Sequence, residues 1–293
     1  MTRGVLRSGL TSLAAATARW LPVRGRLLLY RLGPATDWLR RALNRAVPAG
    51  IQPVRLAAGD LAGSWLLLDL QVDKDLWLGN YEPAMARAIR QFAQPGGTAY
   101  DLGANIGYTA LLLADALGPS GRVFAFEPLP ENLQRLRHAV RLNGLEAQVT
   151  VVPAAVGARP GLAAFRVHAS GGMGRLDNGA GRERRFVAAV SVDVMTLDDF
   201  VFIDGQTPPS LIKMDLEGGE AAALAGMSRL LGQVRPTLLI ELHGVQASAE
   251  VERELGAAGY RLYRMERDYP EFHRRDSGPW PKHIVALAAE VAG

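Results

Sequence analysis

The segment that most constrains the fold lies at residues 97–107 of the 293-residue chain. A short apolar run there ends in an acid and is followed by a glycine-rich turn, G-x-N-x-G, that begins at Gly103. Residues 108–117 then have the composition of a helix, which Gly118 and Pro119 end. The order strand, glycine turn, helix is typical of sites for nucleotide-like ligands, because glycines admit the ligand to the backbone and the helix N-terminus offers free N–H groups.

The details of this turn favour S-adenosylmethionine (SAM) over a dinucleotide. A dinucleotide-binding turn has the spacing G-x-G-x-x-G, which the turn at Gly103 does not have. Asp101, just before the turn, repels a pyrophosphate but suits a ligand that carries sulfonium and ammonium groups. We therefore expect Asp101, Gly103, Asn105 and Gly107 to contact SAM. The alternative is an ordinary turn of an α/β fold.

A second apolar strand, residues 121–127, ends in Glu127 about 20 residues after the turn. An acid in this position of an α/β nucleotide site binds the two ribose hydroxyls. Residues 149–152 predict a third strand, and the segment that follows it, which includes Ala155, is expected to pass beside the adenine. The alternative for Glu127 is a solvated strand end.

Four segments in this order resemble the FkbM family of SAM-dependent methyltransferases. They are D-L-G-A-N-I-G-Y-T from Asp101, V-F-A-F-E-P-L-P-E-N-L from Val123, L-I-K-M-D-L-E-G-G-E from Leu211 and R-P-T-L-L-I-E-L-H from Arg235. The resemblance covers roughly residues 78–288. It implies a Rossmann-like class I methyltransferase fold, with a seven-stranded sheet that is mostly parallel and has one antiparallel strand.

A further match to the family, G-x-Y-E-P, precedes the glycine turn and contains Tyr81 and Glu82. The resemblance implies that these two residues close over the cofactor, with Glu82 near its ammonium group. The alternative is an ordinary N-terminal cap of the helix predicted for residues 84–92.

The remaining pattern predicts a β-rich lead-in at residues 54–56 and 64–70, before the cofactor half. Strands are also predicted at 162–167 and 186–192, with an irregular Gly-rich loop at 170–185 that hangs over the site. Other predicted elements are helices at 196–200, 220–231 and 247–258 and strands at 210–214, 237–240, 260–264 and 283–287. The last two strands have no helix between them and should pair antiparallel.

Composition narrows the class of protein. The chain has no cysteine, which excludes disulfides and thiolate metal sites. Its formal net charge of +4 comes almost wholly from arginine, since the only lysines are Lys74, Lys213 and Lys282. Because no basic stretch alternates with aromatic residues, the sequence does not predict nucleic-acid binding.

Residues 1–50 form a basic N-terminal extension that stands apart from the methyltransferase domain predicted for residues 51–293. This extension contains many arginines but only one acidic residue, Asp37, and apolar residues lie between the arginines. Its longest uncharged run, residues 8–18, is too short to span a bilayer, which takes about 20 apolar residues. We expect a helical extension of a cytoplasmic protein. A peripheral contact with a membrane or a partner is the alternative.

The acceptor half of the site is expected at the ends of the fourth and fifth strands, where Asp215, Glu217 and His243 lie. A base helps methyl transfer to a hydroxyl by taking its proton as the bond forms. Asp215, Glu217 and His243 are the candidates, and we favour His243 or Glu217 without choosing between them. Lys213 is expected to anchor an acidic group of the substrate. The site is predicted to need no metal, with a metal held by Asp215, Glu217 and His243 as the alternative.

These observations and the family resemblance together predict a SAM-dependent methyltransferase that acts on a hydroxyl of a small molecule or a sugar. The residues themselves support only the cofactor, and the resemblance supplies the substrate class. Two alternatives from other classes are a nucleotide-dependent oxidoreductase and a non-catalytic binding protein.

Overall fold

The structure is a computed structural model that describes residues 50–168, 174–176, 186–272 and 280–289. The predictions for residues 1–49 and for most of the loop at 170–185 lie outside the described residues. Among the described residues, no helix combines the length and the apolar character that crossing a bilayer requires. The chain divides into two compact units. One holds the described residues up to Pro83 together with His138–Gly144, and the other holds Ala84–Arg137 and the chain from Leu145 onward.

The first unit contains the predicted β-rich lead-in. Strands β1 (Ile51–Arg55) and β2 (Trp65–Asp69) pair antiparallel, and a short helix, α1 (Lys74–Trp77), follows them. Leu66 and Leu68 of β2 are fully buried. The side chain of Asn143 fixes the start of β2, because its amide accepts from and donates to the backbone of Trp65.

The second unit is built on two sheets. Their strands are β3 (Thr98–Leu102), β4 (Arg122–Phe126), β5 (Val149–Val152), β6 (Ala155–Val156), β7 (Gly161–His168), β8 (Gly174–Leu176), β9 (Phe186–Met195), β10 (Leu211–Met214), β11 (Thr237–Glu241), β12 (Tyr260–Arg264) and β13 (His283–Ala288). The larger sheet has the order β12-β13-β11-β10-β3-β4-β5. Only β13 runs antiparallel to its neighbours in this sheet. The predicted seven-stranded sheet with one antiparallel strand is therefore confirmed.

Helices connect the strands of the larger sheet. They are α2 (Pro83–Phe92), α3 (Tyr108–Leu117), α4 (Pro130–Leu142), α5 (Leu197–Phe202), α6 (Glu220–Ala225), α7 (Ser228–Gln233) and α8 (Val245–Ala257). Helix α3 begins at the glycine turn, and nearly all of its side chains are buried. Thr196 caps α5 as predicted, because its hydroxyl accepts from the backbone N–H of Asp199 at 3.0 Å.

The single helix predicted for residues 220–231 is wrong, since α6 and α7 are separate. The chain breaks at Gly226, where any side chain would collide with the carbonyl oxygen of Gly157. Asp198 then caps α7, because its carboxylate accepts from the backbone N–H groups of Arg229 and Leu230 at 2.9 and 2.8 Å. Contacts from distant segments thus override the continuous helical pattern.

The smaller sheet has the order β6-β9-β7-β8. Its two long strands, β7 and β9, pair antiparallel and confirm the strands predicted at 162–167 and 186–192. The prediction that all of 170–185 is loop is wrong, because β8 lies within it and pairs with β7. The backbone of β8 forms hydrogen bonds with the edge of β7, and the local sequence pattern does not reveal this pairing.

An aromatic cluster fills one face of the larger sheet. Tyr100, Phe124 and Phe126 on β3 and β4 pack edge-on against Phe200 of α5, with ring centroids 5.1–5.7 Å apart. The hydroxyl of Tyr100 donates to the carbonyl of Thr207 at 2.8 Å. Side chains alternate along a strand, so Asp101 points away from this cluster, to the opposite face of the sheet.

Candidate active site

The glycine turn joins β3 to α3 and packs tightly on the neighbouring strand. Gly103 has a φ of +77°, and a Cβ there would collide with the carbonyl oxygen of Asp215. The backbone N–H groups of Gly103 and Ala104 both donate to the carbonyl of Phe126, at 3.1 and 2.9 Å. Glycine is therefore required at residue 103, and the turn is fixed between β4 and the end of β10.

Asp101 and Lys213 form a buried ion pair beneath this turn. The two residues are paired in register on β3 and β10, and the Lys213 Nζ lies 3.2 Å from the Asp101 Oδ1. The same ammonium group donates to the carbonyl oxygen of Gly103, also at 3.2 Å. Burial raises the pKa of Asp101, and the charge of Lys213 acts in the opposite direction. These contacts favour a positioning role for Lys213, and its predicted role as a substrate anchor stays a prediction.

Glu127 is buried directly after β4, where the sequence places the ribose-binding acid. Its Oε2 accepts from the backbone N–H of Asn105 at 3.0 Å, and its Oε1 accepts from Leu129 N–H at 2.9 Å and from the Asn132 side chain at 3.3 Å. Burial raises the pKa of Glu127 to about 6, although these hydrogen bonds favour the ionised form.

Two buried oxygens at the turn have no hydrogen-bond partner in the described protein. They are Oδ2 of Asp101 and Oδ1 of Asn105, and Asn105 adopts a φ of +49°. Buried acceptors of this kind are rare unless a donor from a ligand or water completes them. Glu127 also keeps acceptor capacity beyond its three hydrogen bonds. These hydrogen-bond acceptors of Asp101, Asn105 and Glu127 fit a ligand with an ammonium group and ribose hydroxyls, as SAM has.

The other predicted cofactor residues have different surroundings. Gly107 starts α3 with a φ of +99°, so it shapes the turn. Ala155 is buried in β6 of the smaller sheet. Tyr81 and Glu82 belong to the first unit, and Glu82 has a φ of +37°. The contacts predicted between these four residues and the cofactor stay predictions.

A buried histidine lies where the ends of β10 and β11 meet. His243 Nδ1 is 2.9 Å from Glu220 Oε1. The same oxygen accepts from the backbone N–H groups of Leu216 and Gly218, each at 3.1 Å. Because a carboxylate only accepts, Nδ1 carries the proton of this hydrogen bond. Glu220 thus fixes the orientation of the His243 ring and keeps a proton on Nδ1.

The other ring nitrogen of His243 faces three carboxylates. Nε2 lies 3.3 Å from Glu241, 3.5 Å from Glu217 and 3.7 Å from Asp215. Burial lowers the pKa of His243, but the hydrogen bonds to Glu220 and Glu241 and the charges of Asp215 and Glu220 outweigh it and raise this pKa to about 10. The carboxylates around His243 thus favour a positive charge at the centre of the cluster.

Four members of this cluster have no functional role in the sequence-based prediction. They are Glu220, Glu241, Lys282 and His283. Glu241 bonds to Lys282 at 2.9 Å through Oε1 and to His283 at 3.2 Å through Oε2. Glu220 and Glu241 stand inside the quoted family motifs, which was the signal available in the sequence. Lys282 and His283 lie at the start of the antiparallel strand β13, and the sequence does not reveal the register of this strand.

Glu217 stands in a strained and accessible place. It lies in the loop between β10 and α6 with a φ of +53°, a left-handed conformation that is uncommon for a residue with a side chain. Its side chain is 19% exposed, whereas those of Glu220 and Glu241 are 0% and 8% exposed. Backbone strain of this kind clusters at functional sites, where the surrounding structure maintains it.

Comparison with known proteins identifies the family. A family model for the methyltransferase FkbM domain matches residues 101–262, more than half of the chain. The chain belongs to the FkbM methyltransferase family. It is thus a methyltransferase with the class I fold, and its cofactor is SAM. This match covers the glycine turn and also Asp215, Glu217, Glu220, Glu241 and His243 of the cluster.

Among the similar proteins is a hexuronic acid methyltransferase from Haloferax volcanii, 26% identical over 195 residues, which make up 66% of this chain and 72% of that protein. A solved FkbM methyltransferase from Methylobacillus flagellatus has a TM-score of 0.43 and 19% identity, covering 86% of this chain and 59% of that one. Aeropyrum pernix fibrillarin, solved with SAM, has a TM-score of 0.41 and 13% identity, covering 70% and 77% of the two chains.

Replacement of Glu127 by glutamine in this FkbM methyltransferase is expected to weaken binding of S-adenosylhomocysteine about 10- to 100-fold. A hydrogen bond to a charged group contributes about 1.5–3 kcal/mol, more than one to a neutral amide. Calorimetric titration measures the affinity. The exposed Glu131, in the first turn of α4, supplies the matched control Glu131→Gln, which should bind as the wild type does.

The same titration has an expected pH dependence. Because the ligand binds the ionised Glu127 better, wild-type affinity should fall as the pH drops below about 6, the pKa of this residue. Glu127→Gln should lose this dependence. Equal affinity of Glu127→Gln and wild type at pH 8 would contradict the ribose role.

Proposed function

We propose that this protein transfers the methyl group of SAM to a hydroxyl group of a sugar or a related small molecule. The observation that carries the proposal is the His243 cluster, because it lies one strand away from the cofactor turn. Asp215 supports this proximity, since its backbone N–H donates to Leu102 of β3 and its carbonyl packs on Gly103. The acceptor end of the site is thus contiguous with the cofactor end.

The chemistry of the cluster favours a hydroxyl acceptor. SAM supplies a methyl group on a sulfonium, which leaves as a neutral thioether. A hydroxyl is a weak nucleophile until its proton is removed, and a positioned base can supply about 10²–10⁴-fold in rate. The acceptor oxygen forms its bond to the methyl carbon as the carbon–sulfur bond breaks, the electron pair goes to sulfur, and the hydroxyl proton goes to the base.

Glu217 is our choice of base between the two candidates, Glu217 and His243. His243 has its Nδ1 committed to Glu220, and its Nε2 is enclosed by carboxylates. The Glu217 carboxylate is more exposed and lies on a loop beside both halves of the site. It is an acceptor in its ionised form and can take a proton directly.

The relative from Haloferax volcanii supports a sugar acid as the acceptor, since that protein is a hexuronic acid methyltransferase. A hexuronic acid offers two kinds of acceptor, its hydroxyls and its carboxylate. A carboxylate is already a nucleophile and needs no base. A base at Glu217 therefore has a use only for a hydroxyl acceptor. We therefore propose that a hydroxyl of the sugar accepts the methyl group.

The experiment is transfer of a labelled methyl group from SAM to hexuronic acid oligosaccharides by the purified protein. We expect a labelled product that survives mild alkali, because a methyl ether is stable there and a methyl ester is hydrolysed. An alkali-labile product would show carboxylate methylation instead. Binding of S-adenosylhomocysteine with no transfer to any sugar or hydroxyl compound would contradict the proposed acceptor class.

A further inference from the structure

We propose that Asp215, Glu241 and His243 form a site for a divalent cation, with Mn²⁺ as the best match, which binds the acceptor hydroxyl. This revises the expectation from sequence that the site needs no metal. The role in transfer rests on the proposed function, whereas the binding of the ion does not. One ligand atom from each of the three residues lies within 4.8 Å of the other two.

The spacing of these atoms suits an ion without large movement. His243 Nε2 is 3.3 Å from Glu241 Oε1 and 3.7 Å from Asp215 Oδ1. An ion bound at about 2.1 Å from each ligand places neighbouring ligand atoms about 3 Å apart. The three residues also lie at the ends of two adjacent strands, which hold them close together. Asp215 follows β10, Glu241 ends β11 and His243 follows two residues later.

A second, independent observation is the hydrogen bond on the far side of His243. Histidines that bind metals usually donate their other ring N–H to a carboxylate or carbonyl, which directs the free nitrogen at the ion. Glu220 performs this function here, because it is fully buried and is itself held by the backbone N–H groups of Leu216 and Gly218. Glu220 thus directs Nε2 toward Glu241 and Asp215, the two proposed carboxylate ligands.

The ligand types indicate which ion fits. Carboxylates suit Mg²⁺ and Mn²⁺, and imidazole suits the later transition metals. One imidazole with two carboxylates lies between these preferences, which makes Mn²⁺ the best match. The ion must compete with Lys282 for Glu241 Oε1, but the Lys282 side chain is 62% exposed and flexible enough to withdraw.

The cation has a defined chemical use in this place. A hydroxyl bound to a divalent ion loses its proton more readily than a free hydroxyl. Glu217 is not one of the three ligands, yet its carboxylate lies 3.5 Å from His243 Nε2. It is thus beside the bound hydroxyl and can take the proton. The ion would also orient the acceptor for attack on the methyl group.

The test is titration of chelator-treated protein with Mn²⁺, followed by electron paramagnetic resonance without SAM or acceptor. We expect one ion per chain with a dissociation constant of about 100 μM or lower. Glu241→Gln and Asp215→Asn should each weaken binding at least about 10-fold, and Glu220→Gln should weaken it about 10- to 100-fold through its effect on His243. The matched control, Glu146→Gln, changes an exposed glutamate before β5 and should bind Mn²⁺ as the wild type does.

Outcomes of this test separate the metal site from the methyl transfer. A variant counts only if its thermal unfolding and its binding of S-adenosylhomocysteine match the wild type, and having two ligand variants allows for the failure of one. No binding of Mn²⁺, Mg²⁺ or Zn²⁺ at about 1 mM would overturn the site. Full methyl transfer in excess chelator would overturn its role and leave the proposed function intact. Ion binding by a protein that methylates no hydroxyl compound would overturn the proposed function alone.

Discussion

Replacement of Lys213 by methionine is expected to lower the free energy of unfolding by about 3–5 kcal/mol at pH 7.5. Methionine has nearly the length of lysine, so the variant removes the charge and keeps most of the packing. It leaves the fully buried Asp101 carboxylate without its ion pair and Gly103 without the donor to its carbonyl. Removal of one member of a buried ion pair is costly because the other charge stays buried.

The loss of unfolding free energy in Lys213→Met should be smaller at lower pH. Burial already raises the pKa of Asp101 above that of the unfolded chain, and loss of Lys213 raises it further. A carboxyl with a raised pKa binds more protons in the folded state, so the stability of the variant falls as the pH rises. Chemical denaturation at pH 5.5 and pH 7.5 measures this difference.

Two further variants test the cause. Lys213→Met combined with Asp101→Asn should recover most of the loss, because both buried charges are then absent. Lys74→Met changes a half-buried lysine of α1, whose ammonium donates to the carbonyl of Gln71 at 3.3 Å, and should lower the free energy of unfolding by no more than about 1 kcal/mol. A Lys213→Met variant as stable as Lys74→Met would show that the ion pair is not needed for folding.

Replacement of Glu217 by glutamine is expected to lower the rate of methyl transfer by about 10²–10⁴-fold. Glutamine has the same shape, so the strained backbone and the loop should persist while the basic oxygen is lost. The loss should appear in kcat, with the KM for the acceptor and the affinity for S-adenosylhomocysteine close to the wild-type values. Assay with the acceptor found by the labelling experiment provides the measurement.

A structural role for Glu217 would give a different result. Loss of rate with an equal loss of cofactor affinity or of thermal stability would assign the residue to the fold. An acceptor whose hydroxyl ionises more readily should also lose less rate in Glu217→Gln, since it depends less on a base. The exposed Glu146 again supplies the control, and Glu146→Gln should transfer at the wild-type rate. Retention of a third or more of the rate in Glu217→Gln would exclude it as the base.

Local pattern was sufficient to predict the larger sheet and the edge of it at which the candidate site residues lie. Strands β3, β4, β10 and β11 are short, largely apolar runs that end at an acid or a glycine. Parallel strands bring their carboxyl ends to one edge. Asp101, Glu127, Asp215 and His243 all lie at that edge in the structure. The antiparallel β13 was predictable as well, because the sequence between it and β12 has no helical pattern.

Contacts between distant segments were not predictable from local pattern. Lys213 was expected to face a substrate, whereas the register between β10 and β3 places it beside Asp101. The break at Gly226 depends on Gly157, almost 70 residues earlier in the chain. Glu220 had no functional role in the sequence-based prediction, whereas its carboxylate holds His243 in the structure. In each case the deciding partner lies in another element.

The direction of β13 has a consequence for when this enzyme becomes competent during synthesis. The antiparallel strand presents its beginning, Lys282 and His283, at the edge where the parallel strands present their ends. The cofactor turn, by contrast, is already encoded by residue 127. A nascent chain that has emerged only through β12 would hold the elements for SAM but lack the strand that lies beside Glu241. The proposed acceptor half is therefore completed last, and we expect methyl transfer only after β13 has inserted between β11 and β12.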